Sequence, residues 1–311
     1  MQTVAVVLEA PERLVVSRLT LTDPGEDDLV VDIEWSGIST GTERLLYCGT
    51  MPKFPGMGYP LVPGYESVGR VTAAGPKATI EVGERVFVPG ARCFGEVRGL
   101  FGGAASRIVV PQSRVLRLGE TIGEEAVLLA LAATAYHAIA GGNTLPELIV
   151  GHGVLGRLIA RIVLAKGGTP VVWERNSVRA GGKRGYQVLD PSEDDRFDYH
   201  AICDASGDPD LLNDLIARLA PRGEVTLAGF YTEPLSFVFA PAFMREARLR
   251  VAAEWQADDL AAVKAMVDDG SLSLRGLITH RERADKASDA YRVAFNDPYC
   301  LKMILNWRHC S

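Results

Sequence analysis

The stretch from residue 147 to residue 176, ELIVGHGVLGRLIARIVLAKGGTPVVWERN, constrains the fold more than any other part of the chain. It predicts a strand, a glycine turn, a helix and a second strand, because a short apolar run precedes the turn and apolar residues then recur at helical spacing. Gly151, Gly153 and Gly156 have the G-x-G-x-x-G spacing, and Glu174 closes the stretch. In this context the spacing predicts a dinucleotide site.

Each glycine of this turn has a separate task. Gly151 permits the tight turn, Gly153 lets the backbone approach a pyrophosphate, and Gly156 lets the helix lie close on the strand. Val154 and Leu155 begin the helix, so their backbone N–H groups would face the phosphates. A glycine-rich structural turn in an α/β domain would also produce this spacing, but it gives no reason for the acidic residue at the end.

The acidic residue predicts NAD as the cofactor. The carboxylate of Glu174 would accept a hydrogen bond from a ribose hydroxyl, whereas it would repel the 2′-phosphate of NADP. Arg175 and Arg179 follow closely and could bind that phosphate, so NADP is the less favoured alternative.

Composition indicates a globular enzyme and excludes several other classes. A chain of 311 residues is long enough for two domains, each with a buried core. The net charge of −6 argues against a nucleic-acid surface. The chain has no apolar run of transmembrane length and its first residues do not resemble a signal peptide, so we expect a cytoplasmic protein. Five scattered cysteines without a C-x-x-C pair argue against a disulfide framework and a structural zinc site.

The two halves of the chain differ in periodicity. Before residue 111, short strands broken by glycine and proline predict an antiparallel barrel or sandwich, with candidates at Val4–Leu8, Leu14–Arg18, Leu29–Glu34, Glu66–Ala73, Arg85–Val88 and Ser106–Val110. After a helical run, strands are predicted at Leu148–Val150, Val171–Trp173, His200–Asp204, Glu224–Leu227 and Leu249–Ala252. Helices are predicted at Glu124–Ala140, Leu155–Lys166, Pro209–Leu219, Asp258–Asp268 and Asp285–Phe295, and a last strand at Cys300–Asn306. The alternation of strands and helices predicts an α/β fold with a parallel sheet.

Two strand ends in the second half are expected to line the dinucleotide, because ligands of such sheets bind at the carboxyl ends of the strands. Asp204 and Ser206 end one predicted strand, and Gly229 and Phe230 end another. We expect these residues to line the binding pocket for the adenine, ribose or nicotinamide. Ordinary strand-to-helix turns are an equally good explanation for any one of them.

Several short motifs together resemble the medium-chain dehydrogenase/reductase superfamily across nearly the whole chain. Besides GHGVLG, they are PLVPGYESVGRV, VGERV, GGAASRIVV, TAYHA and GLITHR. The resemblance implies a GroES-like β-rich catalytic domain at residues 1–122, a Rossmann doubly wound NAD-binding domain at 123–276, and a C-terminal segment, 277–311, that returns to the catalytic domain. It also implies that Thr134 contacts the nicotinamide.

The chain departs from the zinc-dependent members of that superfamily. Ser39 and Tyr65 stand where those members carry cysteine and histidine, and the third ligand position falls near Ala130. Catalytic zinc takes about three protein ligands of Cys, His, Asp or Glu type, and Glu66 alone cannot hold it. We therefore predict an enzyme without zinc.

Within the superfamily, SGISTGTERLLYCG and FPGMGYPLVPGYESVGRV are similar to dehydrogenases of bacteriochlorophyll synthesis. That resemblance implies NAD-dependent oxidation of a hydroxyethyl group on a tetrapyrrole ring to an acetyl group. The expected partner is then the tetrapyrrole substrate, and neither nucleic acid nor a transmembrane segment is expected. A homodimer and a peripheral place at the photosynthetic membrane are compatible with this function.

Without a metal, side chains must hold the alcohol oxygen and accept its proton. Our hypothesis is that Tyr65, with Ser39 or Thr40, hydrogen-bonds this oxygen. Glu66 would orient these side chains or relay the proton. A base role for Tyr65 would require a nearby cation, since the ordinary tyrosine pKa of about 10 is too high. The alternative is that Tyr65 only fills volume. His137 lies in a helical apolar run and is expected to pack or cap.

A loop rich in apolar, polarizable side chains is a candidate for the substrate face. It contains Met51, Phe54, Met57 and Tyr59, interspersed with prolines. Such a loop could lie against a flat macrocycle, because methionine and aromatic groups adapt to broad π-surfaces. A domain-packing loop is the alternative.

Two other functions stay open on the sequence. A zinc-free quinone or enoyl reductase of the same fold would use NADPH and reduce a carbon–carbon double bond, and Arg175 is compatible with it. A nucleotide-sensing protein could have kept the dinucleotide site and lost catalysis, but the polar residues Ser39, Thr40 and Tyr65 argue against it.

Overall fold

The computed structural model describes residues 1–182 and 185–310. In chain order the strands are β1 (Gln2–Ala10), β2 (Arg13–Thr20), β3 (Asp28–Ile38), β4 (Leu61–Val62), β5 (Ser67–Ala74), β6 (Arg85–Val88), β7 (Arg98–Gly99), β8 (Arg107–Pro111), β9 (Leu116–Leu118), β10 (Leu148–Val150), β11 (Val171–Trp173), β12 (Gln187–Leu189), β13 (Tyr199–Asp204), β14 (Leu219–Leu227), β15 (Arg248–Val251), β16 (His280–Arg283) and β17 (Met303–Asn306). The α-helices are α1 (Thr42–Cys48), α2 (Leu129–Ala140), α3 (Val154–Ala165), α4 (Leu212–Ala217), α5 (Phe239–Arg245), α6 (Ala257–Asp268) and α7 (Ala287–Asn296).

The chain divides into two compact units. Unit 1 is Met1–Ala130 together with Leu277–Ser311, and unit 2 is Leu131–Gly276. The first boundary lies at Ala130, later than residue 122. The physical reason is that a 3₁₀ turn at Glu124–Leu128 packs on β3 and β5 and therefore belongs with the first unit.

Unit 1 is built on two sheets. One has the strand order β2-β1-β4-β7, and the other has the order β16-β17-β3-β5-β6-β9, with β8 also paired to β3. β3 pairs antiparallel with β5, β8 and β17, so it organises the larger sheet. Apolar residues of β1, β3, β8, α7 and β17 share one buried core. All six strands predicted for this half are confirmed, and β6 has the predicted bounds.

The C-terminal segment completes the larger sheet of unit 1. β17 lies antiparallel beside β3, with Met303 opposite Ile38 and Asn306 opposite Trp35, and β16 lies parallel to β17 on the outer side. α7 contributes buried side chains to the same core. Residues from both ends of the chain are therefore neighbours in unit 1.

Unit 2 contains one parallel sheet of six strands with the order β12-β11-β10-β13-β14-β15. The first strand of the unit, β10, is central, and the chain winds outward from it in both directions. The order reverses between β10 and β13, where Val150 is paired with Asp204. In such sheets the crevice beyond the carboxyl ends of these two strands is the place where ligands bind.

The predicted elements of unit 2 are confirmed, and β10 and β11 have the predicted bounds. The sequence analysis did not predict β12 or α5. Within the described residues, no helix is both long enough and apolar enough to cross a membrane.

Candidate active site

The glycine turn follows β10 directly, and two of its glycines are required by the protein itself. Gly151 has φ +94°, in the left-handed region that side chains other than glycine rarely adopt. A Cβ on Gly156 would come within 1.8 Å of the carbonyl oxygen of Gly151. Any side chain at that position would push α3 away from the strand end, so the predicted role of Gly156 in close packing is supported.

Gly153 is different, because nothing in the protein requires a glycine there. Its φ of −72° and ψ of −171° suit other residues, and a Cβ would meet no atom within 4 Å. Gly153 is also the N-cap of α3 and provides no side-chain cap for the first N–H groups. The open space and the uncapped N–H groups fit the phosphates of a dinucleotide.

Glu174 follows β11 and lies against the glycine turn. One carboxylate oxygen accepts the backbone N–H of His152 at 3.1 Å, and the other accepts the N–H of Asn176 at 2.8 Å. These bonds hold the carboxylate at the edge of the turn, where the sequence analysis expects a ribose hydroxyl. Arg175 is exposed and Arg179 is half-buried.

His152, inside the turn, fastens the following loop. Its Nδ1–H donates to the carbonyl oxygen of Arg179 at 2.6 Å, and its Nε2 accepts the Tyr186 hydroxyl at 2.8 Å. Burial lowers the pKa of His152 to about 4, so the ring is neutral near pH 7 with the proton on Nδ1. Arg157 donates to the carbonyl oxygens of His152 and Arg179 and closes the same network.

The strand ends at β13 and β14 meet beside the glycine turn. Asp204 accepts hydrogen bonds from Ser206 N–H and Oγ–H at 2.8 and 2.6 Å, and its other oxygen accepts the Tyr231 hydroxyl at 2.8 Å. Burial raises the pKa of Asp204. A Cβ on Gly229 would lie 2.6 Å from the backbone nitrogen of Gly207. The Asp204 carboxylate is thus used by its own turn and by Tyr231 after β14, which is the ordinary structural explanation.

Two cofactor candidates of unit 2 remain, Phe230 and Thr134. Phe230 is 51% exposed, and Thr134 is half-buried on α2. His137 forms a hydrogen-bonded pair with Asp259 at 2.8 Å, and Asp259 also accepts the backbone N–H of Gln256 at the start of α6. His137 therefore links α2 to α6 through Asp259.

Unit 1 holds a polar pair at the end of β3. The hydroxyl groups of Ser39 and Tyr65 are 2.7 Å apart, and Thr42 also hydrogen-bonds Tyr65. Ser39 is buried, Tyr65 is half-buried, and Thr40 is exposed. Of the two partners that the sequence left open for Tyr65, the structure brings Ser39 to it and turns Thr40 to solvent.

The surroundings of Tyr65 do not favour a base. Burial raises the pKa of the Tyr65 hydroxyl, and the neighbouring Glu66 raises it further, while the hydrogen bond from Ser39 acts in the opposite direction. The lowered pKa that a base role requires is not seen. Tyr65 keeps its proton near neutral pH and is able to donate a hydrogen bond.

Glu66 is fully buried and forms an ion pair with Lys302. Burial raises the pKa of Glu66, and Lys302 counteracts this. The Lys302 ammonium also donates to the carbonyl oxygen of Ile38 at 3.1 Å, directly before Ser39. Sequence analysis missed Lys302, since a lone lysine in a strand pattern ordinarily indicates a solvent-facing position.

Glu43 is the second site residue that the sequence analysis missed. It is fully buried in the first turn of α1, accepts the Ser39 N–H at 3.0 Å, and accepts the hydroxyl of Tyr291 from α7. Burial raises the pKa of Glu43 to about 7. An acidic residue between threonine and arginine, in TER, resembles an ordinary exposed helix start, so no sequence signal separated it from one.

The donor set of unit 1 does not fit a catalytic zinc ion. Ser39 and Tyr65 present hydroxyl groups, Ala130 presents no donor atom, and Glu66 is paired with Lys302. Across residues 1–182 and 185–310, no three His, Cys, Asp or Glu side chains come together as a metal site. The zinc-free enzyme stays a prediction, and no step of the reaction is assigned to a metal.

Part of the loop predicted to face the substrate belongs to a small apolar core. Met51 is buried in it, and Met57 and Tyr59 pack against its edge. The Tyr59 hydroxyl donates to the carbonyl oxygen of Leu46. Only Phe54, at 37%, is exposed. Packing therefore accounts for Met51, and substrate contact stays a prediction for the other three.

Residues 25–120 match the family described as "Alcohol dehydrogenase GroES-like domain". Two curated relatives are named 2-desacetyl-2-hydroxyethyl bacteriochlorophyllide A dehydrogenase. The one from Rhodobacter capsulatus is 59% identical over 99% of both chains, and the one from Cereibacter sphaeroides is 56% identical, also over 99% of both.

Solved structures share the fold of the whole chain. L-idonate 5-dehydrogenase from Escherichia coli superposes with a TM-score of 0.87 at 19% identity, covering 98% of each chain. An alcohol dehydrogenase from Escherichia coli CFT073, complexed with NADH, superposes with a TM-score of 0.83 at 21% identity, covering 98% of this chain and 99% of that one. The predicted fold class, a GroES-like β-rich domain plus a Rossmann domain, is confirmed. The chain belongs to the family of the 2-desacetyl-2-hydroxyethyl bacteriochlorophyllide A dehydrogenases, within the medium-chain dehydrogenase/reductase superfamily.

Proposed function

We propose that this chain oxidises the 3-(1-hydroxyethyl) group of a bacteriochlorophyllide to an acetyl group in bacteriochlorophyll a biosynthesis, with NAD as the oxidant and without a metal. One observation supports this choice of substrate. The 59% identity with the 2-desacetyl-2-hydroxyethyl bacteriochlorophyllide A dehydrogenase of Rhodobacter capsulatus extends over 99% of both chains. Both units are therefore shared with that relative, including the segments that hold the glycine turn and the Ser39–Tyr65 pair.

The cofactor part of the proposal rests on unit 2. A bound NAD supplies the hydride acceptor. The open space at Gly153 and the uncapped start of α3 would hold the pyrophosphate, with Val154 and Leu155 as the first N–H donors. Glu174, held in place by two backbone N–H groups, would accept a ribose hydroxyl and repel a 2′-phosphate, so NAD is proposed over NADP.

The alcohol part rests on unit 1. Ser39 and Tyr65 hydroxyls only 2.7 Å apart can both reach one oxygen atom. Because Tyr65 keeps its proton, it would donate a hydrogen bond and stabilise the negative charge that grows on this oxygen as the alcohol proton passes to water. Glu66 and Lys302 would hold the strand end through the Ile38 carbonyl and so keep Ser39 in place.

The proposal extends to the surface of the protein. The exposed Phe54 would lie against the macrocycle, together with Met57 and Tyr59. We also propose a cytoplasmic location, peripheral to the photosynthetic membrane, because a flat apolar substrate partitions toward lipid. A homodimer is supported by exposed apolar side chains of α5 and β15, such as Phe243 at 65% and Val251 at 75%.

The test is a turnover assay with purified protein, a hydroxyethyl bacteriochlorophyllide, and NAD or NADP. We expect a long-wavelength absorption shift of the pigment, with one NADH formed for each pigment converted and little turnover with NADP. Consumption of NADPH with a quinone or enoyl substrate, and none of the pigment, would support the reductase alternative. Binding of NADH without turnover of either substrate would support the sensing alternative.

A further inference from the structure

Glu43 lies beneath the Ser39–Tyr65 pair and joins two distant parts of the chain. Its side chain is fully buried, and each carboxylate oxygen accepts one donor. The Ser39 N–H lies 3.0 Å from one oxygen, and the Tyr291 hydroxyl of α7 donates to the other. The position in the first turn of α1 also favours a negative charge, because the helix N-terminus is positive.

We propose that Glu43 is a positioning residue for the reaction: its ionised carboxylate holds the Ser39 backbone and thereby sets the Ser39 hydroxyl against Tyr65. This inference rests on the proposed function. Two donors converge on the ionised carboxylate, one on each oxygen. When the carboxyl is protonated, the Tyr291-facing oxygen would donate instead, and Ser39 N–H would keep only a neutral acceptor. A charge-assisted hydrogen bond is about twice as strong as a neutral one, so protonation weakens the hold on Ser39.

The groups around Glu43 decide when it loses this charge. Burial raises its pKa to about 7, the hydrogen bonds from Tyr291 and from the Ser39 N–H lower it, the nearby Glu66 raises it, and Lys302 lowers it. Tyr65 keeps its proton and adds no charge. The ionisation of Glu43 therefore falls close to neutral pH, where a modest change in its surroundings moves it.

The first measurement follows the Ser39 amide resonance by NMR as a function of pH, with no substrate present. In the wild-type protein we expect this resonance to titrate with a midpoint near the Glu43 pKa of about 7. Glu43→Gln keeps the shape and an acceptor oxygen, and the titration should vanish. Tyr291→Phe removes a bond that lowers the pKa, so the midpoint should move to higher pH. Tyr299→Phe, the same change at a 69% exposed position, should leave the midpoint unchanged.

The second measurement is the pH profile of kcat. Wild-type turnover should fall by about tenfold on the acid side of the same midpoint, because the charge-assisted bond to the Ser39 N–H becomes a weaker neutral one. Glu43→Gln should show the low value without this pH step, and Tyr291→Phe should shift the step upward.

An unchanged Ser39 titration in Glu43→Gln, or an acid step that persists in it, overturns the inference. If that variant fails to fold, an unshifted midpoint in Tyr291→Phe overturns it equally. If the wild-type protein forms no NADH, the proposed function is wrong. The NMR titration of the Ser39 amide needs no substrate, so it still tests whether Glu43 controls the Ser39–Tyr65 pair.

Discussion

Gly153→Ala separates the binding role of the glycine turn from its structural role. A Cβ at this position meets no atom within 4 Å, and φ −72° with ψ −171° suits alanine. Alanine restricts the unfolded chain, which stabilises by about 0.4–1 kcal/mol, but it is a poorer N-cap than glycine by a few tenths of a kcal/mol or more. The two effects offset each other, so the free energy of unfolding should change by less than about 0.5 kcal/mol.

Binding of the cofactor should change far more. The new methyl group occupies the space that we assign to the pyrophosphate, and a displaced phosphate loses a hydrogen bond to a charged group, which is worth about 1.5–3 kcal/mol. The dissociation constant for NADH should therefore rise by about 10- to 100-fold. NADH fluorescence titration measures this change, and urea unfolding followed by tryptophan fluorescence measures stability.

Two further variants make the comparison specific. In Gly156→Ala the methyl group meets the Gly151 carbonyl oxygen at 1.8 Å, so stability should fall by about 1–3 kcal/mol along with binding. Gly41→Ala is the same change at the N-cap of α1, with no atom within 4 Å, and it should leave NADH binding as in the wild type. If Gly153→Ala binds NADH as tightly as the wild type, the pyrophosphate does not lie at Gly153. If the variant loses much stability, the space around residue 153 is not open to a Cβ.

Four other outcomes follow from the same contacts. Tyr65→Phe should lower kcat roughly 100-fold with unchanged affinity for NADH, because it removes a hydrogen-bond donor to the growing negative charge; unchanged turnover would make Tyr65 a filler. Glu174→Gln should narrow the ratio of NADP to NAD dissociation constants by about tenfold, and an unaltered ratio would contradict its role. Lys302→Met should lower the free energy of unfolding by about 3–5 kcal/mol, since Glu66 is then buried without a partner; adding Glu66→Gln should recover part of this loss in urea unfolding. Because the folded pKa of Glu43 is raised from 4.5 to about 7, the folded state binds this proton more tightly than the unfolded chain. Wild-type stability relative to Glu43→Gln should therefore fall by about 3 kcal/mol as pH rises through this window, and a flat difference would contradict the shift.

Much of the fold follows from local patterns. β10 and β11 have the predicted bounds because each is a short apolar run between clear stop signals, Glu147 and Gly151 for β10 and Pro170 and Glu174 for β11. α5 was not predicted, because a proline in a short segment argues against a helix, although Pro241 is tolerated in its first turn. Several of its apolar residues, such as Phe239 at 70%, are also exposed, so no buried stripe marks a helix. β12 contains only three residues, too few to show a period.

Two parts of the candidate site could be predicted from the sequence: the glycine turn from its spacing, and the Ser39–Tyr65 pair from the family resemblance. The glycine turn and Glu174 lie within one strand–helix–strand stretch, so spacing alone brings them together. Lys302 and Tyr291 reach Ile38 and Glu43 across 264 and 248 positions of sequence, and only tertiary packing creates these contacts. The same packing raises the pKa of Tyr65, which its residue type could not show.

The position of β17 has a consequence for synthesis on the ribosome. Residues 131–276 of unit 2 are contiguous, so this unit can fold as soon as it has emerged. The large sheet of unit 1 is complete only when β17 pairs with β3, and until then Glu66 lacks Lys302 as its partner. A product of premature termination would carry a complete unit 2 and an incomplete unit 1.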